Sequence, residues 1–465
     1  MVFSSLTFLL FFFPLTLIFC FMKRGLRWRN GVLLVSSLIF YAWGEPVWVF
    51  AMIGSAAANY FCALKISRSK NKRVRRAWMI LGVCVSAALL FVFKYSAFFA
   101  NTVLAIAGSQ TRMKALTLPI GISFYTFQII TYTVDVYNGK APVQQHFGRL
   151  LLYVSCFPQL IAGPIVKYSD VAEQIGKRRT TPEDFAFGMQ RFVIGLGKKV
   201  VFANVCGKAL AALPQAGAAA LSAGGAWYAA FLYTLQIYFD FSGYSDMAIG
   251  IGRILGFRYK DNFMYPYASL SVRDFWRRWH ISLGSFFREY VYIPLGGNRK
   301  GLYRTVVNTL IVWMLTGLWH GANWTFIVWG LFYGLLLTLD LFVGKKYQRL
   351  PSALRWVITF VLVMISWVIF YYPTLSQGLV HIGAMFGIGA SGFMDAETLY
   401  IIKTYSVFPL IAFAASLPLA GLVKKLPLPE GVKEAGSVVW LSACMVVSVM
   451  LLVGQSYNPF IYFQF

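Results

Sequence analysis

Two of the chain's four histidines stand where a polar ring needs a reason. His280 lies in DFWRRWHISL and His320 in LWHGANW, forty positions apart, and each directly follows a tryptophan. His320 closes the apolar run TVVNTLIVWMLTGLW, where an imidazole is costly to bury unless it is hydrogen-bonded or put to use. Burial disfavours imidazolium, which leaves a neutral ring able to take the proton of an attacking hydroxyl as a general base. Asn323, three positions on, carries an amide that can orient such a ring or donate to an oxyanion. Gly321 and Ala322 leave room for a reactant. A second reading stands beside this one, a satisfied core histidine packed among tryptophans. His280 has the same two readings, a ring stacked among Trp276, Trp279 and arginines, or a group at the mouth of a site.

Polar residues cluster elsewhere too. YFDFSGYSDMAIG places Asp240, Ser242, Tyr244, Ser245 and Asp246 close together between two apolar runs. Carboxylates so placed can pair with cations, order a histidine or bind a metal. With no His or Cys nearby, ion pairing is the favoured reading. Asp240, Asp246 and Trp319 are also carried as candidates to face a substrate.

The elements that must position these residues are membrane helices. A mean hydropathy of +0.64, with 58% hydrophobic and 12% charged residues, excludes an ordinary soluble domain. Apolar runs of about 18 or more residues, long enough to cross a bilayer core, recur from end to end. The short alternating strands of a barrel are not evident. The expected fold is an all-α polytopic membrane protein, one domain over residues 1–465, with about eleven or twelve transmembrane helices. The net charge of +26, from 42 Lys and Arg against 16 Asp and Glu, would suggest nucleic acid in a soluble protein. Here the basic residues lie in short connections, as the positive-inside rule expects, and no nucleic-acid motif accompanies them. Cys20, Cys62, Cys84, Cys156, Cys206 and Cys444 lack metal-ligand or redox spacing and read as packing residues.

In chain order, residues 4–22 read as a retained helix with its N-terminus outside, because Lys23, Arg24, Arg27 and Arg29 follow it. The next stretch, 31–64, is too long for one span and breaks at Glu45-Pro46, placing Glu45 outside and the basic loop 68–76 in the cytoplasm. Between 77 and 107, Lys94 either snorkels outward or serves a function. Pro119 and Gly121 predict a broken start to the following helix, in which Gln128 and Asp135 share an inward face. FPQLIAGPI, with Pro158, Gly163 and Pro164, predicts irregular backbone lining a cavity. Thr181 should cap a helix over 182–199, with Glu183 and Asp184 in its first turn. Residues 253–304 are too polar to cross and should lie near the cytoplasmic interface, partly re-entrant, ending in the turn-rich PLGGNRKG. Spans should follow over 324–343, 353–372, 400–423 and 438–453, with a shorter run near 379–386.

Together, DFWRRWHISL, LWHGANW, YFDFSGYSDMAIG and FPQLIAGPI resemble the membrane-bound O-acyltransferase family, more narrowly its bacterial alginate O-acetyltransferase branch. The resemblance runs from MVFSSLTFL at the start to NPFIYFQF at the end. It implies a disc of helices, some re-entrant or amphipathic on the cytoplasmic side, around a central funnel in a bacterial inner membrane. It implies a catalytic histidine at 320 and a second functional histidine at 280. The implied chemistry is O-acetylation of an exported polysaccharide from a cytoplasmic thioester, acetyl-coenzyme A or an acyl carrier protein, with no bound cofactor. The implied partner is an extracytoplasmic esterase-like acetyltransferase. Arg277, Arg278 and Lys300, with Arg288 and Arg299 beside them, then suit donor phosphates; anionic lipid headgroups are the alternative. Two rivals stand: a D-alanyl transferase of teichoic acid modification, and a polysaccharide exporter or flippase, which needs no buried histidine.

Overall fold

Breaks between helices fall where proline, glycine or charge stands in the sequence. The computed structural model describes residues 1–161, 163–214, 221–419, 421, 427, 429–454 and 460–461, and every regular element among them is a helix. The chain divides into two compact units, residues 1–193 with 244–260, and residues 194–243 with 261–465.

In the first unit, Pro14 has no N–H to give, and the turn before it opens into a π-helical turn, Phe8–Phe12, that leads into Phe13–Met22. Helices Leu26–Ala42 and Trp48–Arg68 part at Glu45-Pro46, where Glu45 Oε1 accepts the Ile120 N–H at 3.0 Å. Helix Lys72–Leu90 continues through a π-helical turn, Phe91–Tyr95, into Ser96–Ile106. Lys94 sits in that turn with its Nζ 3.4 Å from Ser123 Oγ, turned toward protein rather than snorkelling outward. Gly121 takes φ +76° just before helix Ile122–Tyr137, a conformation a Cβ would strain. Gln128 and Asp135 are both fully buried on that helix, as their shared inward face predicts. Asn59 ties three helices together, donating to Ser86 Oγ at 2.9 Å and accepting from Thr133 Oγ1 at 2.7 Å. FPQLIAGPI is irregular as expected, with helices Phe147–Ser155 and Phe157–Leu160 before Tyr168–Lys177; Ala162 lies outside the described residues. Thr181 caps Pro182–Gly197, its Oγ1 accepting the Asp184 N–H at 3.1 Å while Asp184 Oδ2 accepts the Thr181 N–H at 3.4 Å.

The YFDFSGYSDMAIG segment does not separate two runs. It lies inside one 32-residue helix, Ala223–Ile254. The helix continues because each carboxylate is neutralised in place. Asp240 Oδ1 lies 2.5 Å from Lys199 Nζ, both side chains at most 3% exposed, and its Oδ2 accepts the Ile461 N–H at 2.8 Å. Asp246 Oδ1 accepts from Arg191 Nε and Nη2 at 3.0 and 2.8 Å. A buried carboxylate survives only with such partners.

Residues 261–300 of the second unit form helices too short to cross, Val272–Arg278, Ile281–Phe287 and a π-helical turn, Arg288–Tyr292. Gly301–His320, Trp324–Tyr347, Ser352–Tyr371 and Leu375–Met385 follow. Among the described residues, five helices are long and apolar enough to cross a membrane: Trp48–Arg68, Lys72–Ile106, Trp324–Tyr347, Ser352–Tyr371 and Glu430–Val453. A sixth counts if Ala396–Tyr405 and Val407–Ala415, bent by 62°, make one span. The expectation of about eleven or twelve counted apolar runs, whereas a crossing needs roughly 20 helical residues. Several runs fold as shorter helices, among them Phe8–Met22, Ile122–Tyr137 with 16 residues and Leu26–Ala42 with 17. Part of the expected span 400–423 lies outside the described residues.

Candidate active site

His320 is the last residue of helix Gly301–His320. The helix ends there because Gly321 turns to extended backbone, and a Cβ at 321 would press into the Phe326 ring. The next helix starts at once: Asn323 Oδ1 accepts the Thr325 N–H at 3.2 Å and caps Trp324–Tyr347. Gly317 and Gly330 meet across this helical hairpin, and a Cβ on either would overlap backbone of the facing helix. Small residues at the crossing allow that close approach. The hairpin seats the His320 ring, 4% exposed, between three aromatic rings. Its centroid lies 4.9 Å from Trp319, 5.0 Å from Trp329 and 5.3 Å from Phe370, at interplanar angles of 76°, 85° and 81°. These are edge-to-face contacts of the kind that hold a ring in one orientation.

His280 joins Val272–Arg278 to Ile281–Phe287 at φ +44°, ψ +53°, a left-handed backbone that costs energy for a residue bearing a side chain. Asn262, 1% exposed, holds this junction. Its backbone oxygen accepts the Ile281 N–H at 3.0 Å. Its Oδ1 accepts the Ser282 N–H at 3.1 Å and the Ser282 hydroxyl at 2.9 Å, and faces His280 Nδ1 at 3.3 Å. A backbone N–H can only donate, so the Ser282 contact identifies which amide atom is oxygen. An oxygen there requires the proton on Nδ1, so the His280 lone pair lies on Nε2. Burial pushes the His280 pKa down to about 3, and the ring is neutral near pH 7.

The two histidines converge on one side chain. The Trp319 ring lies 6.0 Å from His280 and 4.9 Å from His320. Phe241 packs edge-on against His280 at 4.6 Å.

The other sequence candidates divide. Asn323 commits its oxygen to the helix cap and donates through Nδ2 to the Pro373 carbonyl at 2.7 Å. That ties the end of Ser352–Tyr371, which carries Phe370, to the His320 hairpin. These bonds use the Asn323 oxygen and one of its two amide hydrogens. The room expected at Gly321 is filled by Phe326. Trp319 is 4% exposed and packs near both histidine rings. Asp240 and Asp246 are held by Lys199 and Arg191, the cationic partners that the ion-pairing reading calls for. Arg278 Nε donates to Asp274 Oδ1 at 2.9 Å, and Arg273 pairs with Asp340 at 2.8 Å. Arg277 and Lys300 are exposed. Asn308, fully buried on the His320 helix, donates to Gly297 O at 2.8 Å and so pins the PLGGNRKG loop that carries Lys300.

Two residues of this unit had escaped notice in the sequence. Asn262 sits 18 positions before His280 in a stretch with no recognisable motif. His381 lies on Leu375–Met385, its Nε2–H donating to the Ala226 carbonyl at 2.9 Å while its Nδ1 accepts the Tyr372 hydroxyl at 2.9 Å. The only signal for His381 was a polar ring in an apolar run, the same signal that marked His320.

Residues 6–381, a stretch that holds both His280 and His320, match the family model described as membrane-bound O-acyltransferase. The chain is 39% identical to a probable alginate O-acetylase of Pseudomonas putida across the full length of both proteins. It is 34% identical to a peptidoglycan O-acetyltransferase of Helicobacter pylori, covering 93% of this chain and 91% of that one. A teichoic acid D-alanyltransferase of Bacillus subtilis is 30% identical over 54% of this chain and 68% of its own.

Proposed function

The chain belongs to the membrane-bound O-acyltransferase family, as a multi-pass membrane O-acyltransferase, and we propose that His320 is its general base in acetylating an exported polysaccharide of the alginate type. The observation that carries this reading is the convergence of two buried histidines on Trp319. A neutral imidazole at 320 takes the proton of an attacking hydroxyl as its oxygen bonds to the thioester carbonyl. The C–S bond breaks, an ester forms, and the proton passes to the leaving sulfur. His280, neutral with its lone pair on Nε2, lies 6.0 Å from the same Trp319 ring. The donor is a cytoplasmic thioester, acetyl-coenzyme A or a charged acyl carrier protein, with Arg277 and Lys300 as the cations that meet its phosphate or acidic surface. The acceptor side calls for an extracytoplasmic esterase-like acetyltransferase that completes transfer to sugar. The partial match to a D-alanyltransferase supports a second reading in which the same histidines move an aminoacyl group.

Purified protein offered acetyl-coenzyme A, acetylated carrier protein or D-alanylated carrier protein separates these readings by which thioester it consumes. His320→Ala should lower that turnover by about 10²–10⁴-fold, the usual worth of a general base. Wild-type turnover in the variant would end the assignment. Thioester consumption that depends on His320 also separates a transferase from an exporter.

A further inference from the structure

A groove of about 600 Å³, open along one side, runs between helices Phe13–Met22 and Leu26–Ala42 of the first unit. Leu15 and Phe19 line it from one helix, Val32 and Ile39 from the other, and Arg27 and Trp28 stand at one end. Trp28 is fixed there, with Nε1 donating to the Phe19 carbonyl at 2.8 Å and the Lys23 ammonium 4.6 Å above its ring. Arg27 is exposed, and no acidic residue precedes Glu45 in the chain, so neither helix offers it a carboxylate. Arg29 faces away, its guanidinium 4.9 Å over Phe21.

The dimensions suggest what fills the groove. Twelve residues separate Arg27 from Ile39, a rise of about 18 Å along the helix. One leaflet of a bilayer core is about 15 Å deep, half of roughly 30 Å. A groove of leaflet length, apolar along its walls and cationic only at its interfacial end, matches a lipid in both shape and charge. Tryptophan at that end is the side chain expected at headgroup depth.

We propose that this groove binds one anionic phospholipid, an acyl chain between the two helices and the phosphate on Arg27. A purely apolar contact would not distinguish headgroups, whereas a cation at the membrane surface favours an anionic one by about fivefold.

Detergent-purified full-length protein is offered phosphatidylglycerol and phosphatidylethanolamine in equal amounts, and bound lipid is counted by native mass spectrometry. Wild type should retain phosphatidylglycerol by about fivefold over phosphatidylethanolamine. Arg27→Lys should keep the preference, and Arg27→Gln should abolish it. No atom lies within 4 Å of a Cβ at Gly31, so Gly31→Leu should fill the groove without disturbing the helices and reduce retention of both lipids. Equal retention of the two lipids by wild type overturns the proposal whatever the variants do. An undiminished preference in Arg27→Gln overturns it as well.

Discussion

Among the chain's buried histidines, His381 and the His280–His320 pair are equally inaccessible and differently bound. His381 bridges a backbone carbonyl and a tyrosine hydroxyl, so both nitrogens are committed to joining Leu375–Met385 to Ala226 and Tyr372. His280 owes its tautomer to one side-chain amide, occupies a left-handed backbone conformation and reaches Trp319 from one side. His320 packs against the same tryptophan, framed by aromatic rings. Burial, then, does not single out a reactive histidine. What differs is how each ring is held: His381 by two hydrogen bonds to its neighbours, His320 by the rings of Trp319, Trp329 and Phe370.

The contrast breaks most sharply at His320. Replacing it with Gln, close in size, should cost about 10²–10⁴ in turnover and shift the melting temperature little. His381→Phe should do the reverse. It keeps a ring but leaves the Ala226 carbonyl and the Tyr372 hydroxyl without their partner, at about 1–3 kcal/mol each. Thermal unfolding should report that loss, and turnover per folded molecule should be nearly unchanged.

Asn262 sharpens the comparison by changing a tautomer. Asn262→Ala should lower turnover by about tenfold, the worth of roughly 1.4 kcal/mol of lost positioning. Asn262→Asp gives a clearer signature, because a carboxylate facing Nδ1 raises the His280 pKa from about 3. The neutral ring is the active form, so activity in this variant should fall as pH drops through the raised pKa, with no such limb in wild type above about pH 4. The same depressed pKa sets a stability trend. Between its unperturbed value of 6.5 and its folded value of about 3, the unfolded chain binds a proton that the folded one refuses, so stability declines as pH falls through that window.

The smallest effects belong to the basic segment. Arg277→Ala and Lys300→Ala should each raise the donor concentration for half-maximal rate by about tenfold, with the saturated rate preserved. Arg278→Ala should change it by less than about threefold, since its guanidinium is already held by Asp274. Titrating donor against the three variants tests this ranking.

How much of this was legible in the chain follows from what each residue signals locally. Glu45-Pro46, Pro119-Gly121 and Thr181 mark helix ends by rules that act within one turn, and the structure places breaks or caps at each. His320 drew attention because an imidazole closes an apolar run, although His381 carries the same signal. The continuity of Ala223–Ile254 was not legible, because it depends on Lys199 and Arg191 arriving from elsewhere to neutralise Asp240 and Asp246. Asn262 was invisible for the same reason. An amide says nothing about the histidine it will hold until the fold brings the two together.

Single-turnover thioester cleavage and thermal unfolding, measured on the same preparations of wild type, His320→Gln and His381→Phe, separate a catalytic histidine from a structural one. His320→Gln should lose about 10²-fold or more in cleavage while unfolding near the wild-type temperature, and His381→Phe should unfold early yet cleave at the wild-type rate while folded. Wild-type cleavage by a folded His320→Gln protein would contradict the catalytic role of His320.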